Sequence, residues 1–143
     1  MNYAAPMFRA PVSPIDLLVV AFNGRVFGVH PRTGNRIWRY EIGGYPIVRS
    51  QVYDQRVYAV GGALVCLEHA TGRLIWRTEL ETTFTGGTLL VGGGIVAVAD
   101  AGEVTAYESE SGRHLWTDGF QGEGVGGVSL ALPGISSQND RSG

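Results

Sequence analysis

The chain has no lysine, a single cysteine and almost no excess of charge. All 11 of its basic residues are arginines, and 13 acidic residues leave a formal net charge of −2. A nearly balanced charge provides no basic surface for nucleic acid or for an anionic membrane, so neither is expected as a partner. Because Cys66 is the only cysteine, an internal disulfide and a cysteine-based metal cluster are excluded.

Long apolar runs are also missing. No stretch of the 143 residues reaches the ~18 consecutive apolar residues that a membrane-spanning helix needs. Residues 1–14 lack the apolar core of a secretory signal peptide. From these two absences we expect a protein that does not insert into membranes and that is located in the cytoplasm. Apolar residues still make up 44% of the chain, which is enough to build the buried core of one domain.

A pattern of glycine and tryptophan occurs three times. Each copy has a glycine, a second glycine ten residues later and a tryptophan four residues after that. The second glycines and the tryptophans are Gly34 and Trp38, Gly72 and Trp76, and Gly112 and Trp116. Short apolar runs separated by turn residues, such as Asn23-Gly24, predict antiparallel hairpins between these positions. A repeat of about 40 residues that is made of strands is typical of the blades of a β-propeller.

The predicted strands number three, four and four in the three copies, and one more strand follows at 125–132. We therefore predict an all-β fold with three four-stranded blades over residues 15–134, preceded by the segment 1–14 and followed by a flexible tail, 135–143. A propeller ring has about four to eight blades, so three blades cannot close on themselves. We expect ring closure by oligomerisation, with a six-bladed dimer as the simplest symmetric assembly.

The strand at 125–132 is expected to close this ring. It pairs, in this prediction, with the strand that begins at Leu17, most simply in a second chain. Strand addition of this kind combines ladder hydrogen bonds with apolar side chains. The apolar residues that supply the contact are Val125, Val128, Leu130 and Leu132.

Residues 57–76 read VYAVGGALVCLEHATGRLIW and resemble the repeat of the pyrroloquinoline-quinone-type (PQQ-like) propellers. In that family a Thr-Gly turn precedes a tryptophan by four residues, as Thr71-Gly72 precedes Trp76 here. The resemblance covers residues 17–120 and implies a propeller whose tryptophans pack on the neighbouring blade. We therefore expect Trp38, Trp76 and Trp116 to be largely buried in equivalent positions.

Quinoprotein dehydrogenases of this family hold their cofactor with a vicinal disulfide, a metal and a catalytic aspartate. This chain has one cysteine and hence no adjacent pair. The resemblance therefore implies a member without enzymatic activity and without a cofactor, namely a scaffold that self-associates and binds a protein or a small ligand. Two alternatives stay open. One is an enzymatic or cofactor site at a subunit junction, and the other is a fragment or sensor domain of a larger PQQ-repeat protein.

Two further patterns have simple structural interpretations. Residues 122–127 match the G-x-G-x-x-G dinucleotide motif, but a strand and not a helix is predicted after them. The histidines His30, His69 and His114 occupy different repeat positions, which argues against a shared metal site. His30 is expected to accept a hydrogen bond from the backbone of the turn that follows it.

Arg49 is a weak ligand candidate. It takes the position that Gly87 and Gly127 hold in the other copies, so a tunnel-facing orientation would let it bind an anion. The simpler interpretation is an arginine that lies across the rim beside an acidic residue such as Asp54.

Overall fold

The protein is all-β in the computed structural model, which describes residues 16–44, 47–124 and 126–138. The predicted fold class is confirmed, with three antiparallel sheets in the order of the repeats. The predicted segment 1–14 and the predicted contact residue Val125 lie outside the described residues. In the described ranges, no helix is long and apolar enough to cross a membrane.

Each sheet is a meander in which consecutive strands are neighbours. Blade 1 contains β1 (Leu18–Phe22), β2 (Arg25–Val29) and β3 (Arg36–Glu41). Blade 2 contains β4 (Arg49–Tyr53), β5 (Arg56–Val60), β6 (Leu64–Glu68) and β7 (Leu74–Thr78). Blade 3 contains β8 (Thr88–Gly92), β9 (Ile95–Asp100), β10 (Glu103–Glu108) and β11 (His114–Asp118). A final hairpin contains β12 (Ser129–Leu132) and β13 (Ile135–Gln138).

Turn chemistry explains how these strands reverse. Asn23 and Gly24, which join β1 to β2, have φ values of 51° and 73°. Gly93 and Gly94 join β8 to β9 with φ values of 58° and 82°. Positive φ at both central residues defines the type I′ turn, whose twist matches that of the flanking strands. The hairpin predicted from Asn23-Gly24 is therefore confirmed.

Two apolar clusters hold the three blades together. The first lies between blades 1 and 2 and includes Val26, Val57, Val65 and Leu67, all buried. The second lies between blades 2 and 3 and includes the buried residues Tyr58, Cys66, Val96, Val98 and Tyr107. The core of this protein is thus located between the sheets, so each blade depends on its neighbour for burial.

The three tryptophans differ in burial, contrary to the prediction that all are largely buried. Trp38 is 9% exposed, Trp76 is partly buried, and Trp116 is 47% exposed. The prediction is wrong for Trp116 because burial of the indole depends on the following blade. Trp38 and Trp76 are covered by the Thr-Gly or Ser-Gly turn of that blade. In the part of the chain that the structure describes, no such turn follows blade 3.

The strand predicted at 125–132 pairs within its own chain, although a partner in a second chain was expected. Ser129–Leu132 pairs with Ile135–Gln138 in an antiparallel hairpin, with Leu130 opposite Ser137 and Leu132 opposite Ile135. The predicted pairing of this strand with the one starting at Leu17 is not formed within the chain, because its ladder edge is already occupied by β13. Leu132 and Ile135 instead lie over Gly92 at the end of β8.

The same hairpin also corrects the predicted tail. Within the predicted tail, residues 135–138 form a strand and residues 139–143 lie outside the described residues. Pro133-Gly134 is a turn in register with Gly93-Gly94. β12 and β13 therefore correspond to the first two strands of a further blade.

We predict that loss of the indole destabilises the protein in proportion to its burial. Trp38→Ala should lower the free energy of unfolding by about 3–5 kcal/mol, because it opens a cavity between blades 1 and 2. Trp116→Ala removes a side chain that is exposed in the single chain, so in the monomer it should cost about 1 kcal/mol or less. Urea denaturation of both variants measures the difference. Equal losses in the two variants would contradict the assignment of Trp38 to an interblade core.

Candidate functional site

The contact between consecutive blades is a tryptophan ring lying on a glycine turn. Trp38 of blade 1 lies so close to Gly72 of blade 2 that a Cβ atom there would sit 2.5 Å from the indole ring. The Trp38 Nε1–H group donates a hydrogen bond of 2.8 Å to the carbonyl oxygen of His69. In turn, His69 Nε2 lies 3.0 Å from the carbonyl oxygen of Leu17, back in blade 1. Packing and directional bonds therefore fix the first joint together.

The second joint repeats this geometry. Trp76 of blade 2 packs on Gly112 of blade 3, and its Nε1–H donates to the Ser109 carbonyl oxygen at 3.0 Å. Thr78 adds a hydrogen bond of 2.7 Å from its hydroxyl to the carbonyl oxygen of Gly112. Ser109 and His69 occupy the same place in their repeats. The joint is thus a property of the repeat, in which the turn supplies both the space and the acceptor.

Both ends of the three-blade unit expose one half of this joint. Gly34 in blade 1 has a φ of 78°, like Gly72 and Gly112, but no described residue lies within 4 Å of a Cβ placed there. Trp116 at the other end has its indole exposed. The predicted blade-docking residues therefore divide into two complete pairs, Trp38 with Gly72 and Trp76 with Gly112, and two unpaired halves.

The turn that receives each tryptophan is reinforced by side chains. In blade 2 the Glu68 carboxylate accepts hydrogen bonds from the Thr71 hydroxyl at 2.6 Å and from Arg73 Nη2 at 3.1 Å. These two donors hold the pKa of Glu68 below its ordinary value, the Thr71 hydroxyl contributing most. Blade 3 repeats the arrangement at Glu108, whose pKa is lowered by the equivalent serine and arginine. These side-chain hydrogen bonds stabilise the turns on which Trp38 and Trp76 pack.

Arg49 joins blades 2 and 3 through hydrogen bonds to backbone carbonyl groups. Its Nε donates to the carbonyl oxygen of Gly87 at 2.9 Å, and its Nη2 donates to that of Gly86 at 3.2 Å. These carbonyl groups belong to the segment that leads into β8. The observed bonds show an interblade clamp, so the ligand role considered for Arg49 receives no support from this geometry.

Gln51 is a second clamp, which the sequence analysis did not identify. Its side-chain amide donates to the Val91 carbonyl oxygen at 3.0 Å and accepts from the Val91 N–H group at 2.9 Å. The amide therefore pairs with β8 as a backbone peptide would. The sequence held no clear signal for it, since β4 reads RSQVY and the glutamine follows two other polar residues.

The histidines are separate, and each has a structural contact. His30 Nδ1 accepts from the Arg32 backbone N–H at 3.2 Å, which confirms its predicted role in the turn. His114 Nε2 lies 2.8 Å from the Thr117 hydroxyl. Within residues 16–44, 47–124 and 126–138, no group of three His, Cys, Asp or Glu side chains is arranged to hold a metal ion. The stretch 122–127 leads into the strand β12, as predicted, which leaves it without the helix that a dinucleotide site requires.

We predict that Gly72 is far less tolerant of a side chain than Gly34. Both glycines have nearly the same positive φ, so Gly34→Ala and Gly72→Ala share a conformational cost of about 1 kcal/mol. Only Gly72→Ala places its methyl group against an indole, which should add about 1–3 kcal/mol of overpacking. Thermal or chemical denaturation of the two variants measures the difference in stability that the indole contact causes. If both variants unfolded at the same denaturant concentration, the indole contact would not govern the joint.

Comparisons with known proteins agree with this architecture. The family model described as outer membrane protein assembly factor BamB matches residues 23–138. A curated relative of that name from Nitrosomonas eutropha is 36% identical over 93 residues, which is 62% of this chain and 22% of the relative. The quinohemoprotein alcohol dehydrogenase of Comamonas testosteroni is 29% identical over 116 residues, or 64% of this chain and 16% of that enzyme.

A solved structure shows the same fold. The crystal structure of BamB from Moraxella catarrhalis superimposes with a TM-score of 0.61 at 23% sequence identity. The match covers 78% of this chain and 34% of that protein. This chain therefore spans about a third or less of the length of each of these relatives.

The family match also corrects the expected location. The cytoplasmic location inferred from residues 1–14 is wrong, because the relatives are outer membrane assembly factors and point to a place outside the cytoplasm. The predicted PQQ-like repeat is confirmed by the same match. With 116 consecutive residues covered by the family model, the chain belongs to the outer membrane protein assembly factor BamB family.

Proposed function

We propose that this chain is a non-catalytic propeller module that binds proteins during outer membrane protein assembly. The proposal is supported by its family and by one structural observation: blade 3 exposes an indole, and blade 1 has a glycine turn on which no described residue packs. Exposed apolar surface of this kind is typical of protein-binding sites. A propeller blade that ends in Trp116 is built to receive another blade.

The occupant we propose for the Trp116 surface is the Gly34 turn of a second copy. Trp38 and Trp76 both pack on turns that contain a glycine with positive φ, and Gly34 has the same φ with no described residue in contact. A symmetric pair of chains would bury both Trp116 side chains and so form a six-bladed dimer.

Dimer formation in this register has a structural consequence for the final hairpin. In the repeat, β13 and β1 both occupy the second position of a blade, so β1 of the partner would take the place of β13 beside β12. β13 has four residues and one ladder, with β12. Exchange of one short ladder for another leaves the number of ladder bonds similar, while burial of Trp116 is gained.

The native mass in solution tests this assembly. We expect a dimer by light scattering at micromolar concentrations, and a monomer for Trp116→Ala because the indole contact is removed. Leu115→Ala is the matched control, since Leu115 is also an exposed apolar residue of β11 and should leave the dimer intact. A wild-type monomer at all concentrations, or a Trp116→Ala dimer of wild-type affinity, would refute self-association through this surface.

The non-catalytic part of the proposal is tested separately. Because the chain has one cysteine, it cannot form the vicinal disulfide that the resemblance associates with quinone binding. We expect no oxidation of alcohols or sugars after addition of pyrroloquinoline quinone, calcium and an electron acceptor. Turnover above the level of a heat-denatured sample would favour the alternative of an enzymatic site at the subunit junction.

A further inference from the structure

A cleft of about 150 Å³ opens between blades 2 and 3, where the linker that follows β7 passes over the face of blade 3. The linker contributes Leu80 and Phe84, and β9 contributes Val98, so one part of the wall is apolar. Acidic side chains, hydroxyl groups and one imidazole form the rest of the lining. No arginine lines the cleft.

The repeat itself does not require this cleft. At the equivalent place between blades 1 and 2, the linker backbone closes directly on the β5–β6 hairpin. The Gly62 N–H donates to the Gly43 carbonyl oxygen at 2.8 Å, and a Cβ at Gly62 would lie 2.6 Å from Gly43. Glycine on both sides therefore seals the first joint, whereas the second joint stays open.

The polar lining is also specific to blade 3. Three of its residues are Glu103, Thr105 and Tyr107, on one face of β10. The corresponding residues of blade 2, on β6 and the turn before it, are the fully buried Ala63, Val65 and Leu67. Polar groups of Glu103, Thr105 and Tyr107 therefore stand where blade 2 has only apolar side chains, while the Tyr107 ring remains part of the core between blades 2 and 3.

Two of the carboxylates in the cleft have no cationic partner. Asp100 is occupied, because it accepts from the backbone N–H and from the hydroxyl of Thr85, both at 2.7 Å. Glu81 and Glu103 form neither an ion pair nor a hydrogen bond with any residue that the structure describes. The cleft thus concentrates negative charge that the protein leaves uncompensated.

Tyr107 is a buried polar side chain whose hydroxyl also lacks a partner. Only 6% of the residue is exposed, and its hydroxyl forms no hydrogen bond within the described part of the chain. Among the described residues, Arg56 Nη1 is the one fully enclosed side-chain N or O atom without a hydrogen-bond partner, so the Tyr107 hydroxyl keeps access to the cleft that it lines. The ring is held in place by His114, which packs edge-on at 5.8 Å.

The electrostatic environment of Tyr107 connects it to both glutamates. Burial raises the pKa of its phenol, and the nearby charges of Glu81 and Glu103 raise it further. The hydroxyl therefore stays protonated at neutral pH and offers a lone pair to a donor in the cleft.

We propose that this cleft binds the cationic side chain of a lysine or arginine from a partner protein. The ammonium or guanidinium group would donate to Glu81, Glu103 and the Tyr107 hydroxyl, while its aliphatic stem packs on the apolar part of the wall. The volume suits one long side chain and is below the roughly 300–1,000 Å³ of pockets for whole small molecules. This inference does not depend on the proposed self-association.

A titration with minimal probes tests the proposal. Nα-acetyl-lysine amide and Nα-acetyl-arginine amide are added at millimolar concentrations to the ¹⁵N-labelled full chain at pH 7.5. We expect saturable shifts in the amide resonances of residues 80–84 and 98–107. Nα-acetyl-norleucine amide is the neutral control and should bind at least about tenfold more weakly, because it lacks the charge-assisted hydrogen bonds.

Variants identify the groups responsible. Glu81→Gln and Glu103→Gln should each weaken binding of the cationic probes several-fold, and Tyr107→Phe should do so without removing a charge. Glu79→Gln is the matched control, since Glu79 is paired with Arg77 outside the cleft. Equal affinity for the lysine and norleucine probes would overturn the proposal, as would wild-type affinity in both glutamate variants. Melting temperatures of all variants exclude loss of fold as the cause of weaker binding.

Discussion

Stacking of an indole on a glycine turn is the interaction on which the rest of this structure depends. Trp38 and Trp76 each cover such a turn in the next blade and donate a hydrogen bond to a carbonyl oxygen of that turn. A four-stranded sheet cannot bury both of its faces alone, so the joint provides each blade with the neighbour that it needs. The braced turns at Glu68 and Glu108 keep the receiving surface in the required shape.

The same interaction explains the two half-joints seen among the described residues. The three blades form two internal joints with one another, and one half-joint is left at each end of the described stack. Trp116 and Gly34 are these halves. The final hairpin covers the inner part of blade 3 and leaves the indole of the outer part exposed. Each half-joint therefore lacks the neighbouring blade that Trp38 and Trp76 have.

The blades differ in the residues that connect them to their neighbours. Arg49 and Gln51 clamp blade 2 to blade 3 through backbone atoms of the next innermost strand and of the segment before it. The contact between Gly43 and Gly62 closes the joint between blades 1 and 2, whereas an open cleft with acidic lining lies at the joint between blades 2 and 3. The second joint therefore differs in chemistry from the first, and it is the joint at which we propose that a cationic side chain binds.

The regular part of the fold could be predicted from the sequence because it depends on local chemistry. Asn23-Gly24 sets a type I′ turn by itself, and the spacing of glycine and tryptophan sets the blade length. Trp116 was mispredicted because burial depends on a neighbour that its own repeat does not contain. The tail predicted from residue 135 contains a strand, because Pro133-Gly134 forms a hairpin turn in register with Gly93-Gly94. Arg49 donates to two backbone carbonyl groups, and contacts of this kind leave no trace in the side-chain pattern.

Hydrogen exchange of the three indole N–H groups tests the central claim most directly. Each tryptophan gives a separate signal, so both joints and the exposed indole of Trp116 are observed in one experiment on the unmodified chain. We expect slow exchange for Trp38 and Trp76, and fast exchange for Trp116 in the isolated monomer, with protection only when another blade covers it. Fast exchange at Trp38 and Trp76, or slow exchange at Trp116 in the monomer, would contradict the claim that indole and glycine turn form the joint.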